Sequence, residues 1–160
     1  MKNIALLVIT GLVFLCCNPA TQHAEDAHTA KADTLISIVD EDVKDGVFIH
    51  ITESYDDPHR VLMPLKMATI MANDKDVLIY MDIHAVELLV KDAKDLKYGD
   101  FESCQTYLKQ LLKNNVGIYA CPTCLKLAGF AAEDLMDGIL TAQKDKFFNF
   151  TKGRIIALNY

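Results

Sequence analysis

The segment Val116-Gly117-Ile118-Tyr119-Ala120-Cys121-Pro122-Thr123-Cys124 joins a predicted strand directly to a predicted helix. Its first five residues are apolar and partly β-branched, which is typical of a buried strand. Pro122 suits the first position of a helix, where its missing N–H group costs nothing. The sequence therefore predicts that Cys121 is the N-cap residue and that Cys124 lies one helical turn later, on the same side.

A cysteine at the start of a helix is chemically activated. Free backbone N–H groups and the positive end of the helix dipole both stabilise a thiolate. We therefore expect the pKa of the Cys121 thiol to lie below its ordinary value of about 8.5. Cys121 is the predicted nucleophile. Cys124 either attacks a persulfide on Cys121 and leaves a disulfide, or only packs at the helix start.

Outward from this segment, strands and helices alternate along the chain. We predict strands at 47–52, 76–83, 116–120, 139–142 and 154–158. We predict helical segments at 58–72, 101–114, 122–128, 133–137 and 144–150. Near-continuous apolar strands that alternate with helices favour a parallel sheet covered on both faces. The predicted fold class is α/β.

The N-terminal segment is typical of an export signal. A short basic start, Met1-Lys2-Asn3, precedes an apolar run at 4–15 and then Cys16-Cys17. This run is shorter than the roughly 20 residues of a membrane-spanning helix, and it resembles a bacterial lipoprotein signal. We expect residues 1–16 to be removed and Cys17 to carry the lipid, with Cys16 as the alternative. An ordinary secreted or uncleaved signal is the other interpretation.

The signal also predicts location and domain boundaries. The lipid would anchor the protein in the bacterial cell envelope, facing the periplasm. Residues 17–45 form a lipid-anchored tether and lead-in, because much of this segment is polar and has little to bury. Residues 46–160 are long enough for one α/β domain with a single core.

Charge and motif content limit the partners and cofactors. The net charge is −6 and basic clusters are absent from the sequence, which argues against nucleic acid and anionic lipid headgroups as partners. The membrane would be contacted through the lipid anchor alone. One C-x-x-C pair supplies too few ligands for zinc, and Gly-rich phosphate loops and standard hydrolase motifs are absent from the sequence. We therefore expect neither a metal nor another cofactor.

Three histidines and Cys104 are weaker candidates for the site. His84 follows the second predicted strand, at the carboxyl edge where α/β sheets place their sites. His50 lies in the first predicted strand, near the sheet face, and His59 follows Pro58 and could reach the same edge. Cys104 shares a helical stripe with other apolar residues, which predicts a packed core thiol (Phe101, Leu108 and Leu111).

Between residues 47 and 158, the order of these segments resembles the DsrE-like family of sulfur-relay proteins (the DsrE, DsrF and YchN type). The first strand is followed by Asp57-Pro58 and a long Ala-containing helix, as in that family. The second strand runs into His84-Ala85-Val86-Glu87-Leu88-Leu89, which is similar to the family's Gly-Val-x-Leu segment but departs from it at the glycine. The third strand ends at Cys121, and family-like residues follow: Gly129, Glu133-Asp134-Leu135 and Gly138.

The resemblance implies a three-layer α/β/α domain with a mainly parallel five-stranded sheet. It also implies a homo-oligomer or hetero-oligomer, commonly a trimer or a hexamer. The family cysteine at the end of the third strand can carry a persulfide, a role that maps onto Cys121, whereas Cys124 is not part of every member's pattern. The implied function is that of a sulfur carrier or sulfurtransferase-like protein. Its partners would be sulfur donor or acceptor proteins, or small sulfur species.

Two other functions stay open from the sequence. A thiol–disulfide oxidoreductase would use the same Cys121 and Cys124 pair. Thioredoxin-like enzymes, however, place a later cis-proline opposite their cysteines, and the last proline here is Pro122. A non-enzymatic, tethered binding or assembly module would instead use the pair as a structural disulfide, which oxidising conditions outside the cytoplasm favour.

Overall fold

The computed structural model describes residues 43–160. Within this range, five strands are present: β1 Gly46–Ile51, β2 Asp76–Met81, β3 Gly117–Ala120, β4 Leu140–Thr141 and β5 Ile155–Asn159. The α-helices of the same range are α1 Pro58–Met71, α2 Cys104–Lys113, α3 Pro122–Leu127 and α4 Lys146–Asn149, and none of them has the length and apolar character that crossing a membrane requires. The predicted signal segment, the lipid-bearing Cys17 with its alternative Cys16, and the tether up to residue 42 lie outside the described residues.

The strand pairs of the described sheet are all parallel, in the order β4-β3-β2-β1-β5. The register places Ile79 of β2 between Ile49 and Ile118. The next row places Tyr80 between His50 and Tyr119. The α/β fold class and the five-stranded sheet are confirmed, and the sheet, expected to be mainly parallel, is parallel throughout the described strands.

One face of the sheet packs against α1 and α2. Every second residue of β1 is buried on this face, namely Val47, Ile49 and Ile51. These residues form one core with the buried apolar residues of the two helices: Val61, Leu62, Leu65, Ala68, Leu108 and Leu111. Removing this apolar surface from water is the main force that holds the helices on the sheet.

The opposite face is covered by the short helix α4. Its Phe147 ring meets Phe48 edge-on, with ring centroids 5.5 Å apart, and meets Tyr80 at 5.1 Å. Tyr119 completes this aromatic cluster, with its centroid 6.5 Å from that of Phe147. Helices therefore flank both faces, as the predicted three-layer arrangement requires.

Two strands are shorter than the sequence predicts by two residues each. The second strand was expected to reach residue 83, but β2 ends at Met81 and Ile83 adopts a φ of 50°. A left-handed backbone is rare for a β-branched residue, and it turns the chain out of the sheet toward the 3-10 helix Ala85–Leu88. The strand expected at 139–142 is reduced to the two residues of β4, which follow Gly138 at a φ of 92°.

Candidate functional site

Cys121 lies where β3 ends and α3 begins, at the carboxyl edge of the sheet. Its backbone N–H group donates to the carbonyl oxygen of Met81 at 2.9 Å, which continues the pairing with β2 past the end of β3. Its Sγ accepts a hydrogen bond from the backbone N–H group of Cys124, with 3.4 Å between N and Sγ. The thiol therefore caps α3 at the position that the sequence predicts.

Hydrogen bonds set the ionisation of the Cys121 thiol. Partial burial opposes the thiolate, but hydrogen bonds from the Tyr80 hydroxyl, from the N–H group and thiol of Cys124, and from the Thr123 N–H group outweigh burial. The pKa of Cys121 is consequently below its ordinary value, in the direction that the sequence predicts. The sequence attributes this shift to the helix start, whereas the first of the stabilising contacts in the structure is the Tyr80 side chain.

Cys124 has the opposite tendency. Burial raises the pKa of its thiol, and the Ile83 N–H group, which donates to this sulfur, only partly offsets the effect. Negative charge on Cys121 raises the pKa of Cys124 further. The pair therefore favours a thiolate at Cys121 and a protonated thiol at Cys124. Both cysteines are free thiols in the structure.

Tyr80 connects the thiol to a second polar pair. Its ring stacks on the His50 ring, with centroids 5.3 Å apart. His50 Nε2 in turn lies 2.9 Å from Asp82 Oδ1, and both side chains are partly buried. Burial, followed by the hydrogen bond to Cys121, raises the pKa of Tyr80, so its hydroxyl stays protonated at neutral pH. A chain of contacts thus leads from Asp82 to Cys121.

A cavity of about 400 Å³ opens beside Cys124. Six residues line it: Ile83, His84, Glu87, Cys124, Leu127 and Ala128. The cavity lies beyond the ends of β2 and β3, at the edge where the sequence places His84. His84 therefore belongs to the site through this cavity, and His50 belongs to it through Tyr80.

Two other candidates from the sequence lie away from the paired thiols. His59 stacks on Tyr98, with ring centroids 5.9 Å apart, and packs at a tilt against Phe101, with ring centroids 5.6 Å apart. Its ring is therefore held by the loop that precedes α2. Cys104 is buried in the core, where burial raises its pKa to about 12. The prediction that Cys104 is a packing residue is confirmed.

Sequence reasoning missed Tyr80, Asp82 and Ile83 as site residues. A tyrosine near the carboxyl end of an otherwise aliphatic strand is a signal for Tyr80, but its reach to Cys121 depends on the register between β2 and β3. The left-handed backbone of Ile83 lets its N–H group donate to Cys124, and no local pattern predicts it. Backbone strain of this kind persists only where the surrounding structure imposes it, frequently at functional sites.

The chemistry that these groups can perform is nucleophilic. A thiolate at Cys121 can attack an electrophilic sulfur, and Cys124, whose N–H group donates to that thiolate, is the neighbouring thiol. In the part of the chain that the structure describes, no group of three or more His, Cys, Asp or Glu side chains is arranged to hold a metal ion.

Fold and site together define a parallel α/β protein with two thiols at the carboxyl edge of its central strands. No protein-family model and no curated protein matches the chain. Among solved structures, the ychN protein from E. coli aligns with a TM-score of 0.54 at 18% sequence identity, over 72% of this chain and 99% of its own. A protein of unknown function from Methanobacterium thermoautotrophicum, MTH1491, aligns with a TM-score of 0.50 at 21% identity, over 71% of this chain and 98% of its own. At sequence identities this low, the similarity shows that this chain shares the fold and no more. That fold is the DsrE-like fold of the ychN protein.

Proposed function

We propose that the protein carries sulfane sulfur as a persulfide on Cys121. The observation that carries this proposal is the hydrogen-bonded sulfur of Cys121, which has a lowered pKa and lies next to a second thiol. The thiolate is the reactive form of a cysteine, and the neighbouring donors favour that form. The fold shared with the ychN protein agrees with this proposal.

The loading step is a displacement at sulfur. The Cys121 thiolate attacks the terminal sulfur of a donor R–S–SH, and a bond forms between Sγ and that sulfur. The S–S bond of the donor breaks, and its electron pair leaves with the donor thiolate RS⁻. The product is Cys121–S–SH, and an acceptor thiolate that attacks its outer sulfur returns Cys121 to the thiolate.

Cys124 gives the persulfide a second outcome. When the Cys124 thiolate attacks Sγ of Cys121, a disulfide forms between the two cysteines and HS⁻ leaves. The carried sulfur is then released as sulfide. An external dithiol must reduce the disulfide before the next cycle.

The direct test is to load the full chain with inorganic polysulfide and to measure the intact mass, followed by peptide mapping. We expect a gain of sulfur on Cys121 that is lost in Cys121→Ser. Cys104→Ser is the matched control and should load like the wild type, because the buried Cys104 thiol stays protonated. A wild-type protein that takes no sulfur on Cys121 would overturn the proposal. If it also held a Cys121–Cys124 disulfide that resists reductants, a binding or assembly module would be favoured.

A thiol–disulfide oxidoreductase is the second candidate function. The observation that favours it is the opposite direction of the pKa shifts at Cys121 and Cys124. A nucleophilic and a resolving cysteine require such asymmetry. Catalytic turnover in an insulin reduction assay, lost in Cys121→Ser and in Cys124→Ser, would support this function. Sulfur loading without insulin turnover would support the carrier.

We also propose that the protein works at the bacterial cell envelope with a lipid on Cys17. The support is the signal-like sequence of residues 1–17. Cys17→Ser should move the protein from the membrane fraction to the soluble fraction of the expressing cells. If only Cys16→Ser released the protein, Cys16 would be the lipid-bearing residue. If both variants stayed in the membrane fraction, the proposed lipid anchor would be contradicted.

A further inference from the structure

The cavity beside Cys124 has apolar walls that remain exposed to water. Leu127 is 82% exposed and Ile83 is 52% exposed, and both line the cavity together with Ala128. An apolar molecule that enters the cavity covers these side chains, which is favourable because apolar surface leaves water. The volume of about 400 Å³ is that of a site for a small molecule.

The charges at this cavity are acidic. Glu87 belongs to the lining, and the lining residues, all within the described range, include neither lysine nor arginine. The Glu87 carboxylate disfavours an anion that approaches the cavity, and the described lining has no lysine or arginine to offset it.

The cavity gives access to Cys124, the hydrogen-bonding neighbour of Cys121. Cys124 is part of its lining. The Cys124 backbone N–H group donates to Sγ of Cys121 at 3.4 Å. A molecule that fills the cavity therefore lies one side-chain contact away from the nucleophile.

We propose that this cavity is the donor site of the sulfur transfer and that it selects neutral, apolar sulfane-sulfur compounds of the organic trisulfide class over sulfur oxyanions. This inference rests on the function proposed above and specifies its substrate. Leu127 and Ile83 contact the alkyl groups of the donor. Glu87 repels anionic donors such as tetrathionate.

The reaction with a trisulfide R–S–S–S–R is again a displacement. The Cys121 thiolate attacks the central sulfur, and a bond forms between Sγ and this sulfur. The bond from the central sulfur to one outer sulfur breaks, and its electron pair leaves with the alkanethiolate RS⁻, which takes a proton from water. The product Cys121–S–S–S–R retains the sulfane sulfur, and no external oxidant or reductant is consumed.

The test compares dimethyl trisulfide with tetrathionate on the full chain. Rates of adduct formation on Cys121 are followed by intact mass and peptide mapping. Each rate is divided by the rate of free glutathione with the same donor and by the iodoacetamide rate of the same protein variant. The first division corrects for the intrinsic reactivity of each donor, and the second corrects for the reactivity of the Cys121 thiol in each variant. We expect the normalised rate with dimethyl trisulfide to exceed that with tetrathionate by about tenfold or more, a gap that corresponds to about 1.4 kcal/mol.

Two variants locate the effect in the cavity. Leu127→Ser should lower the normalised dimethyl trisulfide rate by about fivefold, because it removes exposed apolar surface that the donor covers. Glu87→Gln should raise the tetrathionate rate by about threefold, because it removes a repelling charge. Ile70→Ser is the matched control, since Ile70 is also an exposed apolar residue (56%) but lines a different cavity. It should change neither rate.

The outcomes separate this inference from the proposed function. Equal normalised rates for the two donors, or an unchanged dimethyl trisulfide rate in Leu127→Ser, would overturn the donor site while leaving sulfur carriage intact. If neither these donors nor inorganic polysulfide modify Cys121 while iodoacetamide still does, the proposed function itself fails.

Discussion

At the scale of single residues, the Tyr80 hydroxyl contributes most among the groups that favour a charged Cys121 sulfur. The pKa of this hydroxyl is itself raised, first by burial and then by its hydrogen bond to Cys121. It therefore keeps its proton over the pH range in which the thiol ionises. Because the hydroxyl stays protonated, it can donate a hydrogen bond to the thiolate and carries no negative charge that would repel it.

Tyr80→Phe is therefore expected to raise the pKa of Cys121. The variant loses the hydroxyl but keeps the ring that stacks on His50. A hydrogen bond to a charged group contributes about 1.5–3 kcal/mol, and one pKa unit corresponds to about 1.4 kcal/mol. Since the thiol is partly exposed, we expect an effect at the low end of that range. The midpoint of the iodoacetamide alkylation rate against pH should rise, and alkylation at pH 7 should slow.

Tyr119→Phe is the matched control for this measurement. Tyr119 lies beside Tyr80 in the sheet and also packs on Phe147, so the two variants disturb similar surroundings. The alkylation midpoint of Tyr119→Phe should stay at the wild-type pH. An unshifted midpoint in Tyr80→Phe would mean that the groups of Cys124 and Thr123 stabilise the thiolate without the Tyr80 hydroxyl.

Cys121 and Cys124 were predictable as neighbours at a helix start because their spacing and their place in the sequence are local properties. His50 was a weak candidate, because its contact with Asp82 spans 32 positions of sequence. Tyr80 gave little signal, because a tyrosine in a strand is equally compatible with packing. The part of the site that was missed depends on strand register, which is a tertiary property.

At the scale of elements, the start of α1 depends on one capping contact. The Asp57 side chain accepts a hydrogen bond from the Arg60 N–H group at 3.3 Å, and Pro58 occupies the first helical position. Asp57→Ala should lower the free energy of unfolding by about 1 kcal/mol, the usual cost of losing an N-cap. Urea unfolding followed by circular dichroism measures this change. Asp56→Ala, one residue earlier in the same turn, is the control and should have little effect.

An ion pair connects the starts of β1 and β5. Arg154 Nε donates to Asp45 Oδ1 at 3.1 Å, and its Nη2 donates to Oδ2 at 2.6 Å. The hydrogen bond from the Arg154 side chain is the first cause that holds the pKa of Asp45 below its ordinary value of 3.8. Because the folded pKa is lower than the unfolded one, the pair stabilises the fold above the unfolded pKa. This contribution is lost as the pH falls through the folded pKa.

Asp45→Asn should therefore lower the urea midpoint at pH 7, and the difference from the wild type should shrink as the pH falls below about 4. Arg154→Gln should show the same trend. The double variant should lose less than the two single variants together, because both remove one interaction. If the difference in urea midpoint between Asp45→Asn and the wild type were constant with pH, the ionised Asp45 carboxylate would not be the source of the stabilisation.

The positions of strands and helices were predictable where the local sequence pattern, an apolar run or a helix-start signal, was strong. The strands around Ile49 and Ile118 were predicted because their apolar residues are continuous, and α1 was predicted from its Asp-Pro start. The ends of β2 and the length of β4 were not, because they depend on left-handed backbone at Ile83 and Gly138. The backbone conformation of such turns depends on tertiary contacts, which a local sequence pattern does not reveal.

At the scale of the whole molecule, the parallel sheet places the candidate site and a stabilising ion pair at opposite edges. Since the described strands all run in one direction, their carboxyl ends meet at a single edge, which holds the two thiols and the cavity beside them. The opposite edge holds the Asp45–Arg154 pair and an apolar cavity of about 470 Å³. A parallel sheet covered on both faces was predictable because strand and helix patterns alternate, and the likeness to the ychN protein agrees with it.

The described part of the chain contains a core of its own, so we expect residues 43–160 to fold in isolation. The main buried cluster extends from Val47 to Ile139, and β5 closes the sheet beside β1. A fragment of 118 residues is long enough for an independent domain. Its urea unfolding should be a single cooperative transition, and its alkylation midpoint for Cys121 should match that of the full chain.

A fragment of residues 58–160 is the control, because it lacks β1, which lies between β2 and β5. Without β1 the parallel pairing of both neighbours is lost together with the buried row that packs on α1. This fragment should show no cooperative transition. If residues 43–160 also unfolded without one, the domain would begin earlier in the sequence than residue 43, and the predicted tether would have to be shortened.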